Sequence, residues 1–181
     1  SATVRRERVR DAAERLPPVV NAREVMTTVT GTHRFGDGGA EICGAEITTP
    51  AGERLCRWVA GTQAVLRLSF RLRNALRSPI AGFLVRNAKG ETIFGSNTAR
   101  ENYPLPPMLP GEVHTVDFHW LLPPLAAGRY FISVAVSDGT IDSFDVCDYV
   151  EDAIVIEAPP GSREFRGYLR LRCSSVTLRR A

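Results

Sequence analysis

The strongest constraint on this chain is a two-residue alternation of apolar and polar side chains. It begins near Thr32 and is cut at short intervals by glycine and proline. Alternation of this kind belongs to strands with one buried face, because successive side chains on a pleated backbone point to opposite sides. Nine segments carry it: Thr32–Phe35, Ala40–Thr48, Ala64–Arg73, Ile80–Arg86, Glu91–Phe94, Val113–Trp120, Tyr130–Ser137, Ala153–Glu157 and Phe165–Arg172. Turn formers stand between them, among them Gly36-Asp37-Gly38-Gly39, Lys89-Gly90, Pro110-Gly111 and Asp138-Gly139. Short strands with no helical pattern between them predict an all-β protein, an immunoglobulin-like antiparallel β-sandwich. Ahead of it, Val4, Arg8, Ala12 and Leu16 recur near helical period and Pro17-Pro18 stops the pattern, which predicts a short N-terminal helix. The expected layout is a linker helix in 1–25, the sandwich over 26–158 and a C-terminal strand in 159–181. With no initiator Met, the chain is expected to be a piece of a longer protein.

Alternation also sorts the strand faces. On 64–73, Leu66, Leu68, Phe70 and Leu72 share one side, and Arg67, Ser69, Arg71 and Arg73 the other. On 113–120, Val116, Phe118 and Trp120 oppose Thr115, Asp117 and His119. On 165–172, Phe165, Leu169 and Leu171 oppose Arg166, Tyr168 and Arg170. If these three strands are neighbours, Arg67, Ser69, Arg71, Thr115, Asp117, His119, Arg166, Tyr168 and Arg170 form one polar face. Such a face can be a plain solvated surface. It can also grip a sugar polymer, since an aromatic ring stacks on pyranose faces and Arg, Asp and His bond hydroxyls or charged substituents.

Several chemistries are excluded or left without support. The one lysine, Lys89, follows Ala88, so no P-loop exists, and no Gly-x-Gly-x-x-Gly opens a helix. Gly-x-Ser-x-Gly is absent. His114 and His119 fall on opposite strand faces and cannot share a metal, and no metal or cofactor is expected. Asp138, Asp142, Asp145, Asp148, Glu151 and Asp152 lack calcium-loop spacing and read as a solvated loop, although a carboxylate pair of a glycan-active enzyme could sit there. Cys43, Cys56, Cys147 and Cys173 form no Cys-x-x-Cys pair and are expected as free thiols. Bases outnumber acids by only three, 23 to 20, so nucleic acid is not an expected partner.

One ordered set of motifs is more specific. Residues 79–98 read Pro-Ile-Ala-Gly-Phe-Leu-Val-Arg-Asn-Ala-Lys-Gly-Glu-Thr-Ile-Phe-Gly-Ser-Asn-Thr, followed by Leu109-Pro110-Gly111 and by Gly128-Arg129-Tyr130-Phe131-Ile132-Ser133-Val134. In these motifs Phe83, Val85 and the Tyr130 ring are expected in the core, Asn87–Gly90 as a tight turn, and Phe94–Thr98 as a break in the pleat with Asn97 bonding loop backbone. The set resembles the C-terminal carbohydrate-binding domain of Wzt-type O-antigen ABC-transporter ATPases over about Thr32 to Glu157. The resemblance implies a non-catalytic module that recognises O-antigen polysaccharide in the cytoplasm, at the inner membrane, for export. It implies a covalent ATPase domain, a transmembrane transporter subunit, and a homodimer formed by exchange of a C-terminal strand, with Pro159-Pro160-Gly161 as hinge. The Arg-rich tail from Cys173 to Ala181 departs from the pattern. A sugar-binding accessory module of a glycosyl- or methyltransferase is the alternative reading.

Overall fold

The computed structural model describes residues 33–161 together with Gly167 and Tyr168. The expected N-terminal helix and nearly all of the strand expected at 165–172, including Arg166 and Arg170, lie outside the described residues. Eight strands are present: β1 (Arg34–Phe35), β2 (Ala40–Thr48), β3 (Gln63–Leu72), β4 (Pro79–Asn87), β5 (Thr92–Asn97), β6 (Val113–Leu121), β7 (Gly128–Gly139) and β8 (Phe144–Ala158). Every pairing between them is antiparallel. They form a five-stranded sheet of order β1-β8-β7-β4-β5 and a three-stranded sheet of order β2-β3-β6.

The core lies between the sheets and follows the alternation. Leu66, Leu68, Phe70 and Leu72 of β3 face Phe83 and Val85 of β4 and Tyr130, Ile132, Val134 and Val136 of β7 within one buried cluster. Each such aliphatic or aromatic side chain contributes roughly 1.5–3 kcal/mol on burial. Trp58, in the β2–β3 connection, plugs one end. Its backbone N–H donates to Glu157 of β8 (2.7 Å) and its indole Nε1 to Pro123 (2.8 Å). Its ring meets Trp120, which packs 4.6 Å from Phe83. Buried Tyr130 donates its hydroxyl to the Ala126 carbonyl (2.9 Å).

Two expectations change. The segment 94–98 does not break the pleat, because β5 runs on through Asn97. Gly95 makes that possible: a Cβ there would stand 2.7 Å from the Phe83 carbonyl oxygen. The Asn97 side chain does bond loop backbone, accepting from the Arg100 N–H (2.8 Å). The acidic run 138–152 is a solvated loop only over 140–143, where Asp142 is exposed. Its first residues end β7, and from Phe144 onward it is the first half of β8, with Val150 and Asp148 buried. Asp138 accepts from the Ser78 N–H (2.6 Å) and shapes the approach to β4.

Candidate functional site

The register places β3 beside β6 with Arg67 opposite Asp117, Ser69 opposite Thr115, Val65 opposite His119 and Arg71 opposite Val113. Six of the nine sequence-predicted residues, Arg67, Ser69, Arg71, Thr115, Asp117 and His119, are therefore brought to one outer face. Their chemistry is largely turned inward on the face itself. Arg67 grips Asp117 in a two-pronged pair, Nε and Nη2 each 2.8 Å from a carboxylate oxygen, and Glu46 of β2 approaches from the other side. Ser69 and Thr115 share a hydroxyl bond of 2.9 Å. At the end of β3, Arg73 bonds Glu41 (2.8 Å) and holds its carboxyl below the usual range, chiefly through that bond.

Tyr168 lies elsewhere. Its hydroxyl donates to Glu91 in the β4–β5 turn, and its carbonyl accepts from Ala126 before β7 (3.1 Å). The ring is 41% exposed, as alternation implied, but its bonds are to the end of the five-stranded sheet and not to the β3/β6 face. The hydroxyl bond lowers the Glu91 carboxyl and raises the Tyr168 phenol.

The outer face of the five-stranded sheet was not singled out in the sequence. There Asn97, Gly82, Ala135, Tyr149 and Phe35 follow one another across all five strands. Phe35 stacks on Tyr149, ring centroids 4.7 Å apart and 20° from parallel. Gly82 must be glycine, since a Cβ would come within 2.8 Å of the Asn97 Cβ. One row along, Gly95, Leu84 and Ser133 lead to a bulge of β8 at Glu151–Ala153. Both carboxylates of that bulge, Glu151 and Asp152, bind Arg86. The result is a row of small residues, of which Gly82 and Ser133 are buried and Ala135 half-buried, with an aromatic pair on one side and a charged cluster on the other.

At the seam between the sheets, the acidic run supplies a clamp. Asp148 of β8 is 4% exposed. It accepts from Arg34 Nε (2.8 Å) and Nη2 (2.5 Å) on β1, and from the Ile42 N–H (2.6 Å) on β2. One carboxylate thus joins both sheets. Next to it the Cys147 thiol is buried and pushed up to about 12, first by burial and then by nearby acids, so it is no nucleophile at neutral pH. Cys43, Cys56 and Cys147 are all unpaired. Arg34, Phe35, Arg73, Glu41 and Asp148 line a cavity of about 370 Å³ that opens at this seam. Arg34 and Phe35 fall in the predicted strand Thr32–Phe35, but nothing in so short a segment marked either residue as part of a site.

Among the described residues no group of three or more His, Cys, Asp or Glu could hold a metal ion, and no helix is long and apolar enough to cross a membrane. No curated protein matches the chain. Among solved structures, the crystal structure of the C-terminal domain of Wzt superposes with a TM-score of 0.72 at 21% identity, over 81% of this chain and 88% of that one. A β-glucuronidase from Parabacteroides merdae aligns over 66% of this chain and 13% of its own, at 12% identity and a TM-score of 0.33. The Wzt C-terminal domain family matches residues 31–171, which hold all eight strands and both outer faces. The chain belongs to the Wzt C-terminal domain family.

Proposed function

We propose that this domain binds the O-antigen polysaccharide that an ABC transporter exports, and does no chemistry on it. Family membership supports a carbohydrate-binding role in O-antigen export, and the two outer faces of the sandwich are the candidates for holding the polymer. The first is the β3/β6 face, where Arg71 and His119 stand at strand spacing beside the Arg67–Asp117 pair. The second is the outer face of the five-stranded sheet. The observation that carries it is Phe35, 58% exposed, its ring stacked on Tyr149. Exposed aromatic surface suits an apolar sugar face. The full reading places residues 1–25 as a linker to an ATPase domain, 26–158 as the binding module and 159–181 as a strand exchanged within a homodimer. It places the protein in the cytoplasm at the inner membrane through its transporter subunit.

The test is titration of this protein with purified O-polysaccharide of the source strain, alongside unrelated O-polysaccharides. Selective saturable binding is expected. Phe35→Ala weakening it about tenfold would put the polymer on the five-stranded sheet; the same loss in Arg71→Ala would put it on β3/β6. Absence of binding to every O-polysaccharide overturns the reading.

A further inference from the structure

We propose that the cavity at the seam of the two sheets is a subsite for an anionic sugar residue, a uronate ring being the simplest. The inference deepens the carbohydrate-binding reading and rests on it. At about 370 Å³ the cavity lies within the roughly 300–1,000 Å³ of small-ligand pockets, so one sugar residue has room. Its charge preference follows from which hydrogen-bonding capacity is left over. The Asp148 carboxylate is buried and already accepts three bonds, from Arg34 and Ile42. Glu41 is taken up by Arg73. Asp148 is saturated and Glu41 is engaged through Oε2, leaving Oε1, whereas Arg34 keeps Nη1 and Arg73 keeps Nε and Nη1 outside the bonds among the described residues. Donor capacity exceeds acceptor capacity at the cavity, so a ligand that fills it does best by bringing acceptors, a carboxylate above all.

The donors are also positioned. Arg34 is held through two of its nitrogens by Asp148, so its plane is fixed before any ligand arrives and little side-chain entropy remains to be lost. Its side chain is nonetheless 43% exposed, open to a ligand from outside. Phe35, on the same cavity, adds apolar ring surface and joins the cavity to the row that crosses the five-stranded sheet. A polymer lying along that row would present one residue to the seam.

The probe pair is a short oligogalacturonate and its fully methyl-esterified form, which keeps the rings and loses the charge. Titrated into the protein, the acid form should bind at least tenfold tighter than the ester, and raising salt should weaken only the acid form. Arg73→Gln and Phe35→Leu, both at exposed side chains, should each reduce acid binding about five- to tenfold, and Arg73→Lys should restore part of it. Equal binding of acid and ester, no binding of the acid form, or an unchanged affinity in Arg73→Gln overturns the subsite. If the source O-polysaccharide still binds in those cases, the carbohydrate reading stands without it. If no glycan of any kind binds, both fall.

Discussion

The outer face of β3 and β6 and the seam where β1, β8 and β2 meet carry the same kinds of side chain, arginines matched with carboxylates, and use them differently. On the face, Arg67 and Asp117 stand in water with both side chains roughly a third exposed. Their attraction is screened and offset by the entropy of holding two long groups still, and it contributes little. At the seam, Asp148 is out of water, so each bond it accepts is one that solvent cannot replace. The same chemistry decorates one region and fastens the other. Burial, not the count of ion pairs, decides which.

The sharpest way to break this comparison is Asp148→Ala. It leaves the Ile42 N–H without its acceptor and the Arg34 guanidinium with only the Ile42 carbonyl (3.2 Å), and should lower unfolding free energy by about 3 kcal/mol, read as a fall in urea midpoint at unchanged slope. A loss below 1 kcal/mol would show that the seam is no more than decoration. Arg86→Met is intermediate, because Arg86 is half-buried and serves two carboxylates. About 1–2 kcal/mol should be lost, and the β8 bulge around Asp152 should gain amide exchange. Arg67→Ala should cost less than about 1 kcal/mol and should cost less still in 0.5 M salt. A salt-independent loss of 2 kcal/mol or more would erase the contrast between the two regions.

The smallest effect is in acid. Glu41 has its folded pKa held below the ordinary 4.5, chiefly by the Arg73 bond. Such a group stabilises the fold fully above the unfolded value and loses that contribution as pH falls through the folded one. Between pH 5 and 3, Glu41→Gln should therefore show a shallower loss of stability than the parent. Parallel curves for the two proteins would remove Glu41 from the account.

The two regions also differ in how far the sequence disclosed them. Leu66, Leu68 and Phe70 alternating with Arg67, Ser69 and Arg71 announced both a strand and its polar side, and β6 did the same with Thr115, Asp117 and His119. What alternation could not disclose was that Arg67 and Asp117 would answer each other, since that depends on which strands are neighbours. Tyr168 shows the same gap: its outward direction was readable and its sheet was not. The seam was hidden for a stronger reason. Five aspartates and a glutamate between 138 and 152 mask Val146 and Val150, and a carboxylate bound for burial looks like any other until its partner is known. For Gly95, glycine's usual role as a breaker pointed to an interruption, whereas here it admits a neighbouring carbonyl into a continuous strand.

The Asp148 clamp has a consequence in time as well as in energy. Its bonds close loops of 114 residues to Arg34 and 106 to Ile42, among the most distant pairings the chain makes. Contacts of such separation are entropically dear until the intervening strands are in place, and we expect them to form after the transition state of folding. The clamp then acts as a latch: it scarcely speeds folding and mainly slows escape from the native state. In stopped-flow chevrons, Asp148→Ala should raise the unfolding rate by nearly its whole equilibrium effect, on the order of a hundredfold, and leave the refolding rate within about twofold of the parent.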